Sequence, residues 1–437
     1  MPTPDQPRAN TTESYCVIGA GPSGLATARA FAAHRIPFQV LERHHDVGGI
    51  WSTGRADSPV YDSAHFISSR TQSAFDDFAM PDDYPDYPRA QQIADYIGSF
   101  ADRFDLRRHV QFGTTVDRVS RVDDGWAVRL AGGETRRYRG VVIATGHNAD
   151  PVVPCYTGCF EGESFHSSRY RSPSVFDGKR VLIVGGGNSA CDIACDAVGH
   201  ASRTYLSMRR GYHYLPKHVF GQPTDAFFRS GPHLPAWLAQ PLLTVLLRLL
   251  VGDLRRYGLP KPDHKVLETH PIMNTQLLHH LSHGDITPKP DVVELRAHSV
   301  VFADGSEADV DLIIYATGYR TTIPVFDQAT VPLTEGVSGL YLNIISRDLP
   351  ELYVVGLFET DGAAYPVVSK QAELVARLIA GRAKGSAAAA KFDVAVRGPA
   401  PDMTGGVKYK DSPRHRIYVQ FDEYVHRLDK EIARLAS

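Results

Sequence analysis

The chain predicts an α/β fold of two nested Rossmann-like dinucleotide-binding domains, the second carrying a helical insertion. Three observations in its 437 residues carry that prediction. A strand, a glycine turn, an alanine-rich helix and a second strand follow one another in "SYCVIGAGPSGLATARAFAAHRIPFQVLER". The same plan recurs from Lys179 in "KRVLIVGGGNSACDIACDAVGHASRTYLSMRR". Each copy also goes with a later strand ending in Ala-Thr-Gly, in "RGVVIATGHN" and in "VDLIIYATGYR".

Taken in order, residues 1–13 are polar and proline-bearing and read as a disordered tail rather than a secretory signal. The first domain is expected over 14–168, is interrupted by the second over 169–319, and resumes over 320–437. Within the second, residues 212–285 are rich in proline, leucine and histidine and are too long for a crossover loop, so they read as a helical insertion. Its most apolar run, "LLTVLLRLLV" from Leu242 to Val251, is too short to span a bilayer and contains Arg248. A packed amphipathic helix is the expectation there, a membrane-touching or substrate-entry surface the alternative, and Phe227, Phe228 and Trp237 are expected to shape an apolar pocket. The end, "QFDEYVHRLDKEIARL", has the apolar spacing of a closing helix.

Composition narrows the function. With 43% hydrophobic and 22% charged residues the chain has material for two or three domains with a sizeable core. A formal net charge of -2 makes no field for nucleic acid or an anionic membrane, so small molecules are the expected partners. Five cysteines, Cys16, Cys155, Cys159, Cys191 and Cys195, form no CxxC pair, which points to reduced thiols and a cytoplasmic location. His279 and His283 are four apart, with His264 and His270 nearby, but no cysteine or carboxylate completes a zinc set, and no metal is expected. No GxSxG elbow or Walker-type lysine supports hydrolysis or phosphoryl transfer.

The two turns differ where they would meet ribose. Gly19, Gly21 and Gly24 form GxGxxG, which lets the backbone approach a pyrophosphate at a helix N-terminus. Glu42, 23 residues after Gly19, ends the next strand and can accept hydrogen bonds from both ribose hydroxyls of FAD or NAD. In the second turn Gly185 and Gly187 are followed by Ala190, and Met208, Arg209 and Arg210 stand where the acid would be. Guanidinium groups there suit the 2'-phosphate of NADPH. Two such sites imply hydride transfer from a nicotinamide to a flavin in the first domain.

Between the two turns, Phe160, Gly162, His166 and Tyr170 fit FxGxxxHxxx[YF], the signature of the flavin-containing monooxygenases. The chain resembles that family along nearly its whole length, through "GAGPSG", "DVGGIW", "DDFAMPDDYPDYP", "GGGNSACDIA", "MRRGYHYLPK" and "ATGYR" in the expected order. The resemblance implies an enzyme that binds FAD and NADPH, reacts with O2 to give a C4a-(hydro)peroxyflavin, and oxygenates nitrogen or sulfur of a small, partly apolar substrate. Baeyer–Villiger oxidation of a carbonyl is the alternative. A disulfide reductase lacks its cysteine pair after the first turn, Cys155 and Cys159 lying in the linker, and a non-enzymatic redox sensor would bind FAD without substantial NADPH oxidation.

By the same resemblance Ser23, Gly49, Trp51, Val116, Ala144, Thr145 and Gly146 join the cofactor contacts of the first half. Asn188, Ser189, Ser207, Ala316, Thr317 and Gly318 do so in the second. If the segment is helical, His166 and Tyr170, four residues apart, share one side, and the resemblance implies that they couple the domains rather than act in the chemistry. The resemblance implies that Ile67 stands where many members carry an asparagine near the flavin, so that either Ser68, Ser69 or Arg70 takes over its role or NADP+ alone stabilises the flavin adduct, with leakage of hydrogen peroxide; Tyr212 matches a tyrosine bordering the pocket. The expected partners are substrate and O2, without nucleic acid or a membrane span; a homodimer is left open.

Overall fold

The computed structural model describes residues 11–55, 57–231, 234–326 and 339–436. Of the expected tail, Thr11–Glu13 form a 3-10 turn, and residues 1–10 lie outside the described ones.

The first sheet has seven strands in the order Leu340–Tyr341, Ile345–Ser346, Leu352–Val354, Gly140–Ile143, Tyr15–Ile18, Phe38–Leu41, Val110–Gln111. The last five run parallel, and the first two are added antiparallel at one edge. "YCVI" and "GVVI" are buried along their whole length, the apolar run that a central parallel strand covered on both faces requires. Helices Pro22–Ala33 and Ala364–Ala383 cover one face. The closing helix Phe421–Ala436 packs on Ala364–Ala383, and Gln371 donates to the Tyr424 hydroxyl. On the other face lies an antiparallel sheet, Val116–Val122, Gly125–Leu130 and Thr135–Tyr138, anchored by Trp126.

The second sheet repeats the plan. Its five strands, all parallel, run Glu163–His166, Leu312–Tyr315, Arg180–Val184, Arg203–Ser207, Ile286–Lys289. In both sheets the Ala-Thr-Gly strand is the neighbour of the strand that enters the glycine turn. The signature segment therefore belongs to the second domain rather than to 14–168, because Thr157–Gly158 and Glu163–His166 pair only with strands of that half. The segment carrying His166 and Tyr170 is not an α-helix. His166 ends a strand, and Tyr170 follows the 3-10 turn Ser167–Arg169.

The insertion is a hairpin, His218–Val219 with Gln222–Pro223, followed by helices Thr224–Arg229 and Ala236–Leu250. The helix Gln276–His283 leads directly into Ile286–Lys289 and is the sheet's own crossover rather than inserted chain. No described helix is long and apolar enough to cross a membrane.

Trp126 is fully buried, and its indole donates to the Pro350 carbonyl at 3.1 Å. Trp126→Ala should lower the unfolding free energy by about 3–5 kcal/mol, read from urea denaturation of the flavin-loaded protein.

Candidate active site

Each glycine turn is pressed against the strand end that carries Ala-Thr-Gly. Gly19 has φ +105, and a Cβ there would stand 2.6 Å from the Ala144 carbonyl oxygen; Gly185, at φ +141, would put one 2.3 Å from that of Ala316. Any side chain would be strained and would push the strands apart. A Cβ on Gly24 would meet the Gly19 carbonyl oxygen, and Gly21 lies on Gly49 of "DVGGIW", so that loop folds down on the first turn. Ser23 on the first helix faces Gly356, whose carbonyl accepts from His147 of "ATGHN". A Cβ at Gly146 or Gly187 would meet nothing within 4 Å, so space lies open beside both turns. Tight backbone contacts with room in front of a helix N-terminus fit a bound pyrophosphate in each half.

The ends of the two second strands differ in charge and burial. Glu42 is buried and accepts from the backbone N–H groups of Ala20 at 2.6 Å and His44 at 2.9 Å. A carboxylate has about four lone-pair positions, so acceptor capacity remains for ribose hydroxyls. Val116 follows Thr114, whose N–H donates to the Glu42 carbonyl. In the second half Ser207 is buried and donates to the Pro290 carbonyl, Met208 is buried, and Arg209 is exposed at the strand end. Arg210 donates to the Tyr212 hydroxyl at 3.2 Å and lies over its ring. Tyr212 in turn covers Gly186, so the structure sets it on the second glycine turn. Asn188, first in the helix, is held on both amide atoms: it donates to the Pro271 carbonyl and accepts from the Met273 N–H.

The domains are joined by short antiparallel strands following the two Ala-Thr-Gly turns, Asp150–Pro151 and Tyr319–Arg320. Thr317 donates to the Val152 carbonyl. The Gly318 carbonyl accepts from the Val152 N–H at 2.9 Å and from Nε2 of His166 at 3.1 Å. Nδ1 of His166 accepts from the Ser168 N–H, so the proton sits on Nε2, and burial pushes the imidazole's pKa down, which keeps it neutral. Phe160 and the Asp311 carbonyl leave no room for a side chain at Gly162. Tyr170 donates to Asp196, which also accepts from Ser63, and Tyr61 donates to Asp192. Burial raises the Asp192 carboxyl's pKa. Sequence reading missed this seam, although Asp192 and Asp196 are spaced to share one face of the second glycine helix, and Tyr61 and Ser63 one side of an extended strand. Beside it opens a cavity of about 480 Å³ lined by Thr53, Arg55, Tyr61, Asp62, Gln91 and Arg171.

The loop around Ile67 is tied down. Ile67 packs on Leu215, Leu247, Val266 and Met273 of the insertion. Ser68 bonds Ser73, and buried Ser69 bonds Thr71 and gives its N–H to Asp225. Arg70 donates to Pro81 and Asp82. Ser69 and Arg70, expected as pocket groups, are committed to loop contacts, while Trp51 packs against the cores of both domains. Of the aromatics expected to shape a pocket, Phe228 and Trp237 are exposed on the outside and Phe227 is half-buried. Helix Ala236–Leu250 also turns Leu242, Val245 and Leu249 outward, which corrects the packed helix expected there. The four histidines are not brought together. His264 bonds Asp263 and Thr269, His270 bonds Tyr418, and His279 and His283 lie ring to ring.

A second cluster, which sequence reading also missed, closes the C-terminal side. Arg414 donates to Glu359 at 3.0 Å and His147 approaches it at 3.5 Å. Burial pushes the Glu359 carboxyl up, but Arg414 and His147 together hold it well below the usual range. Burial, then Arg414, depresses His270 to about 3 and His415 to about 4.

A family model described as flavin-binding monooxygenase-like matches residues 12–421. A probable indole-3-pyruvate monooxygenase of Arabidopsis thaliana, YUCCA9, is 34% identical over 70% of this chain and 75% of its own. Dimethylaniline monooxygenase [N-oxide-forming] 2 of Rattus norvegicus is 33% identical over 84% and 74%. The solved structure of OTEMO in complex with FAD and NADP superposes with a TM-score of 0.69 at 22% identity, covering 88% of each chain, a likeness of fold.

Two outcomes are expected. Arg209→Ala with Arg210→Ala should lower the NADPH-to-NADH preference in kcat/KM by about tenfold or more, since a hydrogen bond between charged groups contributes about 1.5–3 kcal/mol. His270 and His415 titrate lower folded than the ordinary 6.5, so between about 6.5 and 3 the unfolded chain binds more protons. Stability should be full above pH 6.5 and fall as pH drops through that window; thermal midpoints against pH, compared with His270→Gln, measure it.

Proposed function

The chain belongs to the flavin-binding monooxygenase-like family, and on that premise we propose an NADPH- and O2-dependent reaction that oxygenates nitrogen or sulfur of a small, partly apolar molecule. The observation that carries this reading is the pair of matched glycine cradles with opposite ribose chemistry, Glu42 in one and Arg209 with Arg210 in the other. FAD belongs in the first cradle and NADPH in the second. Bound, they supply a hydride and a reduced flavin that activates oxygen.

The protein's own part is positioning. Gly19, Gly21 and Gly24 open the backbone to the FAD pyrophosphate, and Glu42 takes its ribose. Gly185, Gly187 and the helix at Asn188 and Ser189 do the same for NADPH, with Tyr212 closing over Gly186. Thr145 and Thr317 stand at the two strand ends beside the domain joint, where the Thr317 hydroxyl donates to the Val152 carbonyl. His166 keeps the joint in register through Gly318 and moves no proton to substrate. Ile67 offers no hydrogen bond to a cofactor and packs instead on the insertion, bracing that segment against the first domain.

The test is NADPH consumption across amines, sulfides and ketones under isotopically labelled O2. Substrate-dependent turnover with one labelled oxygen in an N- or S-oxide is the expected outcome. A lactone or ester from a ketone, with no heteroatom oxide, would establish the Baeyer–Villiger reading instead. Recovery of all oxygen as hydrogen peroxide, whatever the substrate, would refute oxygenation.

A further inference from the structure

The segment before the closing helix is tied to both halves of the molecule. On the first-domain side, Tyr418–Val419 pairs parallel with Glu359–Thr360, and the Gln420 N–H donates to the Met403 carbonyl at 2.9 Å. On the second-domain side, the Lys410 ammonium bonds Asp263, its N–H donates to the Glu268 carbonyl at 2.9 Å, and the Tyr418 hydroxyl bonds His270 at 3.1 Å. Residues 403–420 thus form a strap from one domain to the other. The strap carries Arg414.

Arg414 donates to Glu359 at 3.0 Å, yet its side chain stays 47% exposed while that of Glu359 is only 18% exposed. A guanidinium has five N–H donors, more than this one carboxylate takes. Among the groups whose charge acts on Arg414 is the Tyr212 hydroxyl, and the Tyr212 ring lies on Gly186 of the second glycine turn. Arg210 stands at the same place: its Nε donates to that hydroxyl, a phenol rather than a carboxylate, and it lies over the ring. Burial, then Arg414 and Arg210 together, depress the neighbouring His415, so both cations converge there. Positive charge from both domains is therefore gathered beside a turn built for phosphate. We infer, on the reading of the second cradle as the NADPH site, that Arg414 is a nucleotide-binding residue supplied by the first domain, holding the pyrophosphate at the phosphate nearer the nicotinamide. That end faces the strap, because Glu359 and His147, which hold Arg414, belong to the flavin half. A planar fork with spare donors suits a phosphate oxygen pair. The dinucleotide then binds the two halves to one another.

The test is calorimetric binding of NADP+ and of 2',5'-ADP to the full-length, oxidised, flavin-loaded protein. The smaller ligand keeps the ribose 2'-phosphate but lacks the second phosphate of the pyrophosphate and the nicotinamide. R414A should weaken NADP+ at least about tenfold, the loss of a hydrogen bond between charged groups, and leave 2',5'-ADP unchanged. E359Q keeps the guanidinium and should bind NADP+ at least as tightly as wild type. E359Q with R414Q, which leaves no buried charge without its partner, should lose NADP+ as R414A does, with FAD content showing that each variant is folded. Unchanged NADP+ affinity in R414A overturns the inference. Equal loss of both ligands, or a loss in E359Q that matches R414A, assigns the effect to packing of the strap and overturns it too. Wild type that binds neither ligand refutes the NADPH reading of the cradle itself.

Discussion

The close approach of Gly19 to the Ala144 carbonyl, repeated by Gly185 and Ala316, is the constraint on which the rest depends. It brings the turn, the helix that leaves it and the end of the neighbouring strand into one rim, twice, with about the same geometry. A Cβ at either glycine would spread the two central parallel strands and remove the space that a pyrophosphate needs. Because both rims are built alike, the halves differ chiefly at the ends of the second strands. There a buried carboxylate and a pair of arginines make opposite electrostatic demands.

How the halves face one another is decided by a small number of polar contacts. The Gly318 carbonyl gathers the Val152 N–H and the His166 imidazole, and Tyr61, Ser63 and Tyr170 hang on the two aspartates of the second glycine helix. These groups sit between two apolar cores that are otherwise separate, so their hydrogen bonds orient the domains more than they stabilise either one. Trp51 spans both cores and adds the apolar part of the same joint. The insertion is braced from the first domain through Ile67 and through the Ser69 N–H to Asp225. The loop around Ile67 is thus a structural strut between the first domain and the insertion.

Local rules were enough for the two strand–turn–helix units, the unequal ribose ends, the closing helix and the place of the Ala-Thr-Gly strands. Each rests on a short-range pattern: glycine where φ is positive or space is absent, apolar runs for buried strands, and charge at a strand end. His166 illustrates the limit. Its spacing from Tyr170 fits a helix, but strand pairing with Leu312–Tyr315 took the segment, since a parallel edge in the second sheet satisfies its backbone groups.

What the sequence determined by itself is the fold class, the duplicated cradle and the unequal charge at the two strand ends, because these are encoded in residues within one unit of each other. Only the tertiary structure decided that the linker joins the second sheet, that Ser69 and Arg70 serve loop contacts, that Glu359, Arg414 and His147 meet, and that the apolar helix faces outward. Those outcomes depend on which surfaces are covered by chain hundreds of residues away. A periodic apolar pattern names a face of a helix, but burial is a property of what packs against it.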